Sequence, residues 1–165
     1  MTPAEAVALL KTIRDKAATA APDMADAMGR VHERREVDLL SRSAHVAPSW
    51  TSAPAGGPPA AMTGMLRGSV NSLPGLRGGM RASSRVGPHT IYAGTQEYGG
   101  VHTGRPHMWL WVAYVGPAEV RARGWVRRMV DIPARPYVRP SRDDVIADGS
   151  VTAAGSASFL RHVFG

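Results

Sequence analysis

The residue types that most often do chemistry are sparse in this chain and poorly grouped. The six histidines are His32, His45, His89, His102, His107 and His162. Only His102 and His107, with Glu97 a few residues upstream, approach a ligand cluster, and their spacing fits no tetrahedral zinc pattern. A metal-dependent hydrolase built on them is the weakest of the readings the residues allow; strand-end histidines satisfied by backbone or water explain them. Asp131, Asp143, Asp144 and Asp148 show no pairing of the kind acid/base catalysis uses, and helix capping or surface charge accounts for them. There is no phosphate-binding loop, no nucleophile elbow and no His-Glu-x-x-His helix. The glycines at 75, 78 and 79 do not open a βαβ unit, so a dinucleotide site is not expected either. The residues predict no enzyme and no cofactor.

Composition adds one positive hint. Twenty basic residues against thirteen acidic ones give a net charge of +7, and all but Lys11 and Lys16 of the basic residues are arginine. Excess positive charge favours polyanion contact, nucleic acid being the usual partner. Arg77-Gly78-Gly79, with Arg81 and Arg85, resembles one copy of a single-strand-binding segment. No aromatic residue interleaves it, so a turn flanked by arginines is the better reading. The absence of cysteine removes disulfides and thiol chemistry. The longest apolar run, Met108 to Val115, is too short to span a bilayer. No basic region followed by an apolar stretch opens the chain, so neither a signal peptide nor a membrane segment is expected.

The elements that must carry these residues read as an α+β domain over residues 1–149, followed by a C-terminal extension, 150–165. Residues 3–47 read as helical. Thr2, Pro3 and Glu5 form a capping-box pattern, and Ala6, Leu9, Leu10, Ile13 and Ala17 make an apolar stripe. Pro22 is expected to interrupt the helix and Asp23 to cap a second one. The charged run from His32 to Asp38 reads as a solvated face. Residues 48–62, rich in proline and glycine, read as a loop.

Residues 63–132 read as a mostly antiparallel sheet. Its expected strands are Leu66–Leu73, Met80–Val86, His89–Gly94, Pro106–Val115 and Gly124–Ile132, with a turn at Pro74–Gly79. Both faces of Pro106–Val115 are apolar, so something must cover each. It forms a protruding hairpin near 107–131 with Arg121, Arg123, Arg127 and Arg128 close by. Pro133, Pro136 and Pro140 exclude a central strand and predict an extended segment into a helix at 141–148, capped by Ser141, with Asp143 and Asp144 in its first turn and Gly149 at its end. The tail reads either as a second short helix or as an arm that orders on a partner.

Three motifs stand in fixed order. Met62-Thr63-Gly64-Met65-Leu66-Arg67-Gly68-Ser69-Val70 is followed by Ile91-Tyr92-Ala93-Gly94-Thr95-Gln96-Glu97-Tyr98-Gly99-Gly100. The third is Ile132-Pro133-Ala134-Arg135-Pro136-Tyr137-Val138-Arg139-Pro140. Read physically, Thr63-Gly64 turns the chain into a first strand and Leu66 enters the core with Arg67 facing away. Ser69 follows in the same motif. Tyr98-Gly99-Gly100 ends a strand in a sharp bend, and Arg135 is placed to meet a carboxylate.

Across about residues 4–148 this pattern resembles the neck and tail-completion proteins of long-tailed bacteriophages, and is similar to the virion-morphogenesis proteins of Mu-like phages. The chain departs from that pattern in Met62, where family members often carry Asp, in a long hairpin and in a Gly/Ala/Ser-rich tail. The resemblance implies helices packed on a mostly antiparallel sheet, with Thr63, Gly64, Leu66, Ser69, Tyr92, Glu97, Tyr98, Gly99, Pro133, Arg135, Pro136 and Tyr137 maintaining the fold. It implies a non-enzymatic virion protein assembled in the host cytoplasm. This protein would form a ring of identical subunits, expected to be six, at the head–tail junction or the top of the tail. It would meet a head-closure or connector protein on one side and a terminator or tail-tube protein on the other. DNA would pass through, contacted non-specifically, with Arg121, Arg123, Arg127 and Arg128 as candidate lumen or interface residues. A tail terminator is the nearest alternative, and a small basic nucleic-acid-binding protein the alternative of another class.

Overall fold

The structure, a computed structural model, describes residues 1–42, 53–61, 64–78, 81–103 and 129–165. Thr63, His107, the strand expected at Pro106–Val115 and Arg121, Arg123, Arg127 and Arg128 lie outside the described residues, as does most of the hairpin expected near 107–131. The fold is α+β. Helix α1 (Pro3–Ser41) is followed by a short helix α2 (Met65–Gly68), strands β1 (Val70–Gly78) and β2 (Arg81–Pro88), and helix α3 (Ala93–Tyr98). Strands β3 (Gly100–Thr103) and β4 (Met129–Ile132) come next, then helices α4 (Val138–Ala147) and α5 (Ser150–Phe164). β1 pairs antiparallel with β2, and β3 with β4.

α1 is the spine. Its 39 residues make a rod about 58 Å long. The capping box forms as expected: the Thr2 hydroxyl accepts from the Glu5 amide, and the Glu5 carboxylate from the Thr2 amide. Pro22 does not break the helix. It removes one amide donor, but Ala17, Ala18, Ala20 and Ala21 before it favour helix strongly and α5 covers this stretch. α5 runs antiparallel to α1. The Lys16 ammonium donates to the Val163 carbonyl at 3.0 Å, Gly155 lies against Met28, and Arg35 pairs with Asp148. The tail is therefore helical and lies along the spine. Gly149, at φ 71°, makes the left-handed turn between α4 and α5, as its position predicts.

The hairpin β1–β2 lies on the middle of α1. Its helix-facing side is small: Ser72 and Ser84 share a 2.7 Å hydrogen bond over Gly29. A Cβ at Gly29 would sit 2.3 Å from both serine oxygens. Gly29→Ala should therefore destabilise the chain by about 1–2 kcal/mol, because overpacking outweighs the gain in helix propensity. A lower urea midpoint at unchanged slope would show it; a raised midpoint would mean that the serines give way. Two further ties hold the hairpin. Asp26 accepts from Arg77 at 2.7 Å, and Glu33 accepts from the Ser72 amide at 3.1 Å.

Several expected boundaries move. Leu66 belongs to α2 rather than to a strand, and β1 begins at Val70. Residues 74–78 of the turn expected at Pro74–Gly79 are instead the far half of β1, whose register shifts between Pro74 and Arg77. That irregularity is how a strand accommodates Pro-Gly. The segment expected as a strand at His89–Gly94 leads through a turn into α3. Helix α4 starts at Val138, so Ser141 lies inside it and is fully buried, and Asp143 and Asp144 fall beyond its first turn.

Candidate functional site

The motif residues converge on one joint. The extended segment 133–137 passes α3, and each partner fixes the other through the backbone. The Arg135 amide donates to the Gln96 carbonyl at 2.7 Å, and the Gly56 amide to the Ala134 carbonyl at 2.9 Å. Contrary to the expectation of a carboxylate partner, the Arg135 Nε donates to the Ala53 carbonyl at 3.1 Å. Gly99, at φ 67°, faces the Ala134 amide and the Ile132 carbonyl so closely that a Cβ would stand 2.6 Å from each. Glycine is required there both for conformation and for space.

Glu97 is the centre of the joint. It lies on α3 and is buried, yet it reaches the start of α4. One carboxylate oxygen accepts from the Tyr137 amide at 2.7 Å and the Val138 amide at 3.0 Å; the other accepts from the Arg139 amide at 3.2 Å. These are donors that a helix start leaves without partners, and the helix dipole favours an anion beside them. Glu97 therefore does from a distance what Ser141 was expected to do locally. Tyr137 is fully buried, donates its hydroxyl to the Ala93 carbonyl at 3.3 Å, and forms a core with Leu39, Leu40 and Val70. Burial, with Glu36 and Glu97 nearby, pushes its phenol upward, so it stays neutral.

The first motif joins the same core. Leu66 packs against it partly buried, and Arg67 points outward to the Ser41 hydroxyl at 3.3 Å. Gly64 takes a left-handed conformation before α2. Ser69 accepts from the His89 amide through its carbonyl at 3.2 Å and its hydroxyl at 3.3 Å. Tyr92 starts α3, whereas Tyr98 at its end is exposed. Ile91, Tyr98 and Val101 are all exposed on α3 and its flanks.

No protein-family model matches this chain, and neither a curated protein nor a solved structure matches it. The resemblance to phage neck proteins thus rests on the three motifs alone.

The residue that sequence reasoning missed is Glu36. The run His32–Asp38 is not a solvated face: Glu36 is fully buried, and neither of its oxygens has a hydrogen-bond partner among the described residues. Burial first, then the neighbouring charges of Glu97 and Glu33, push its carboxyl up to about 7. One turn earlier, His32 meets the Ser141 hydroxyl at 3.1 Å, and burial lowers its pKa. The signal was its spacing. Glu36 stands seven residues after Gly29 and four before Leu40, on the face that packs.

Among the described residues no group of three or more histidines and carboxylates could hold a metal ion. No described helix is long and apolar enough to cross a membrane.

Proposed function

We propose that this chain is a structural subunit of a phage neck, forming a ring at the head–tail junction or the top of the tail through which DNA passes. One observation carries this reading. Glu97, the most chemically capable residue of the three motifs, has its oxygens engaged by three backbone amides. A carboxylate so engaged positions a helix rather than a substrate. Residues 91–100 and 132–140 thus interlock as a frame, which is what motifs kept for architecture would do. Outside that frame the chain presents Ile91, Tyr98 and Val101, a surface suited to contact with a neighbour.

In this reading the subunits associate head to tail and the interface closes into a ring, with six copies as the expectation. Connector or head-closure proteins lie on one side and terminator or tube proteins on the other, inside the virion. DNA contact is through phosphates and independent of sequence. Electron microscopy of a lysate from a phage lacking this gene tests it. DNA-filled heads beside separate tails of normal length are the expected result. Overlong tails would assign the chain to the terminator instead, and intact infectious particles would overturn both.

A further inference from the structure

We infer that a cleft between α1 and α5 binds a phosphate group. The cleft holds about 340 Å³ and is lined by Asp23, Asp26 and Arg30 of α1 and by Ser158, Arg161 and His162 of α5. That is room for about ten waters, enough for a phosphate with part of the group that carries it.

Hydrogen bonding divides these six residues into two sets. The carboxylates are engaged. Asp23 meets the His162 Nδ1 at 2.9 Å, and the other ring nitrogen of His162 meets the Thr19 hydroxyl at 3.1 Å. Asp26 accepts from the Arg77 guanidinium with both oxygens, at 3.0 and 2.7 Å. The remaining donors are not engaged. The side chains of Arg30, Ser158 and Arg161 have no hydrogen-bond or ion-pair partner among the described residues. Ser158 is the most telling of the three, because only 8% of it is exposed. A serine or threonine inside a helix commonly turns its hydroxyl back to the carbonyl four residues earlier, as Thr12 and Ser41 do on α1. Ser158 makes no such bond and borders the cleft instead. A buried hydroxyl left unpaired costs free energy.

Three free donors from two helices, with no free acceptor beside them, select an oxyanion. A phosphate presents a separate oxygen to each donor, whereas a carboxylate has only two. Arginine holds phosphate oxygens through short charge-assisted bonds. Arg30, Arg77 and Arg161 against Asp23 and Asp26 leave the cleft positive even with His162 neutral, so an anion is drawn to it. A free phosphate ion and a phosphate of the DNA backbone offer these donors the same oxygens. The site does not rest on the neck reading and stands or falls without it.

The test uses the purified full chain with inorganic phosphate, followed by phosphorus NMR at constant ionic strength, and with a fluorescent DNA duplex, followed by anisotropy. Phosphate should bind saturably. Arg30→Gln combined with Arg161→Gln should weaken it at least about tenfold, since each removes a charge-assisted hydrogen bond. Ser158→Ala should weaken it severalfold. None of these side chains has a partner to lose, so the urea midpoint should stay unchanged. Arg81→Gln combined with Arg85→Gln removes the same charge from exposed positions on β2 and should leave phosphate binding as it was. Displacement of phosphate by the duplex, with a slope of log affinity against log salt made shallower by about 1 in the cleft double variant, would assign the site to DNA. DNA binding indifferent to the cleft pair, with phosphate binding lost, would assign it to free phosphate. No saturable phosphate binding, or equal loss from the two arginine pairs, would overturn the site.

Discussion

Glu97→Ala should cost about 3 kcal/mol of folding stability, and Glu97→Gln about half of that. The carboxylate receives the amides of Tyr137, Val138 and Arg139. Alanine strands all three at a buried helix start. A lost helix cap costs about 0.5–2 kcal/mol, and hydrogen bonds to a charged group are worth about 1.5–3 kcal/mol each before the cost of burying that charge is set against them. Glutamine retains one acceptor oxygen, which can serve the Tyr137 and Val138 amides, but it turns an NH2 toward Arg139. Urea denaturation of the three proteins measures the order. A Glu97→Ala chain within about 0.5 kcal/mol of the parent would mean that α4 is held by something other than this carboxylate. It would also remove the frame on which the neck reading stands.

Glu36→Gln should stabilise the chain at pH 8 and leave it unchanged near pH 4. The Glu36 carboxyl is raised from 4.5 to about 7 by burial and by the charges of Glu97 and Glu33. The folded chain therefore binds a proton more tightly there than the unfolded chain does. Stability contributed by that proton is fully present below about pH 4.5 and is lost as pH rises to about 7; above that the loss is complete, on the order of 3 kcal/mol. Glutamine mimics the protonated acid and never ionises, so the difference between variant and parent should open across this window and then stay level. His32 acts in the other sense. Its pKa is lowered by burial, so the stability it contributes is lost as pH falls below the ordinary histidine range. Because both proteins contain His32, the comparison cancels it. A parent more stable than Glu36→Gln at pH 8 would show that the ionised carboxylate has a partner.

What the sequence made legible was local. The Thr2–Glu5 capping box, the extended Pro133–Pro136 path and the Gly149 stop each depend on a few adjacent residues, and each forms where expected. What it hid was decided by distant partners. Tyr92-Ala93-Gly94-Thr95 has the composition of a strand, yet α3 is helical; the Tyr137 hydroxyl on Ala93 and the Arg135 amide on Gln96 hold it. Ser141 had the right type and place for a cap, but Glu97, some forty residues earlier, took the role. At the joint, the pattern singled out Glu97, Pro133, Arg135 and Tyr137 but not the connections among them. Glu36 escaped because a charge run was read by composition, while its burial follows from period.

Pro22 leaves the Ala18 carbonyl without its helical amide, within the stretch that Lys16, Thr19 and Asp23 tie to α5. Cooperativity along α1 is therefore weakest at that point. The long helix behaves as two units of unequal local stability: residues beyond Pro22 melt only with the hairpin and core, whereas the first turns can open at little cost while the rest stays folded. A single unbroken helix can thus present a firm base and an end that adapts to whatever it meets.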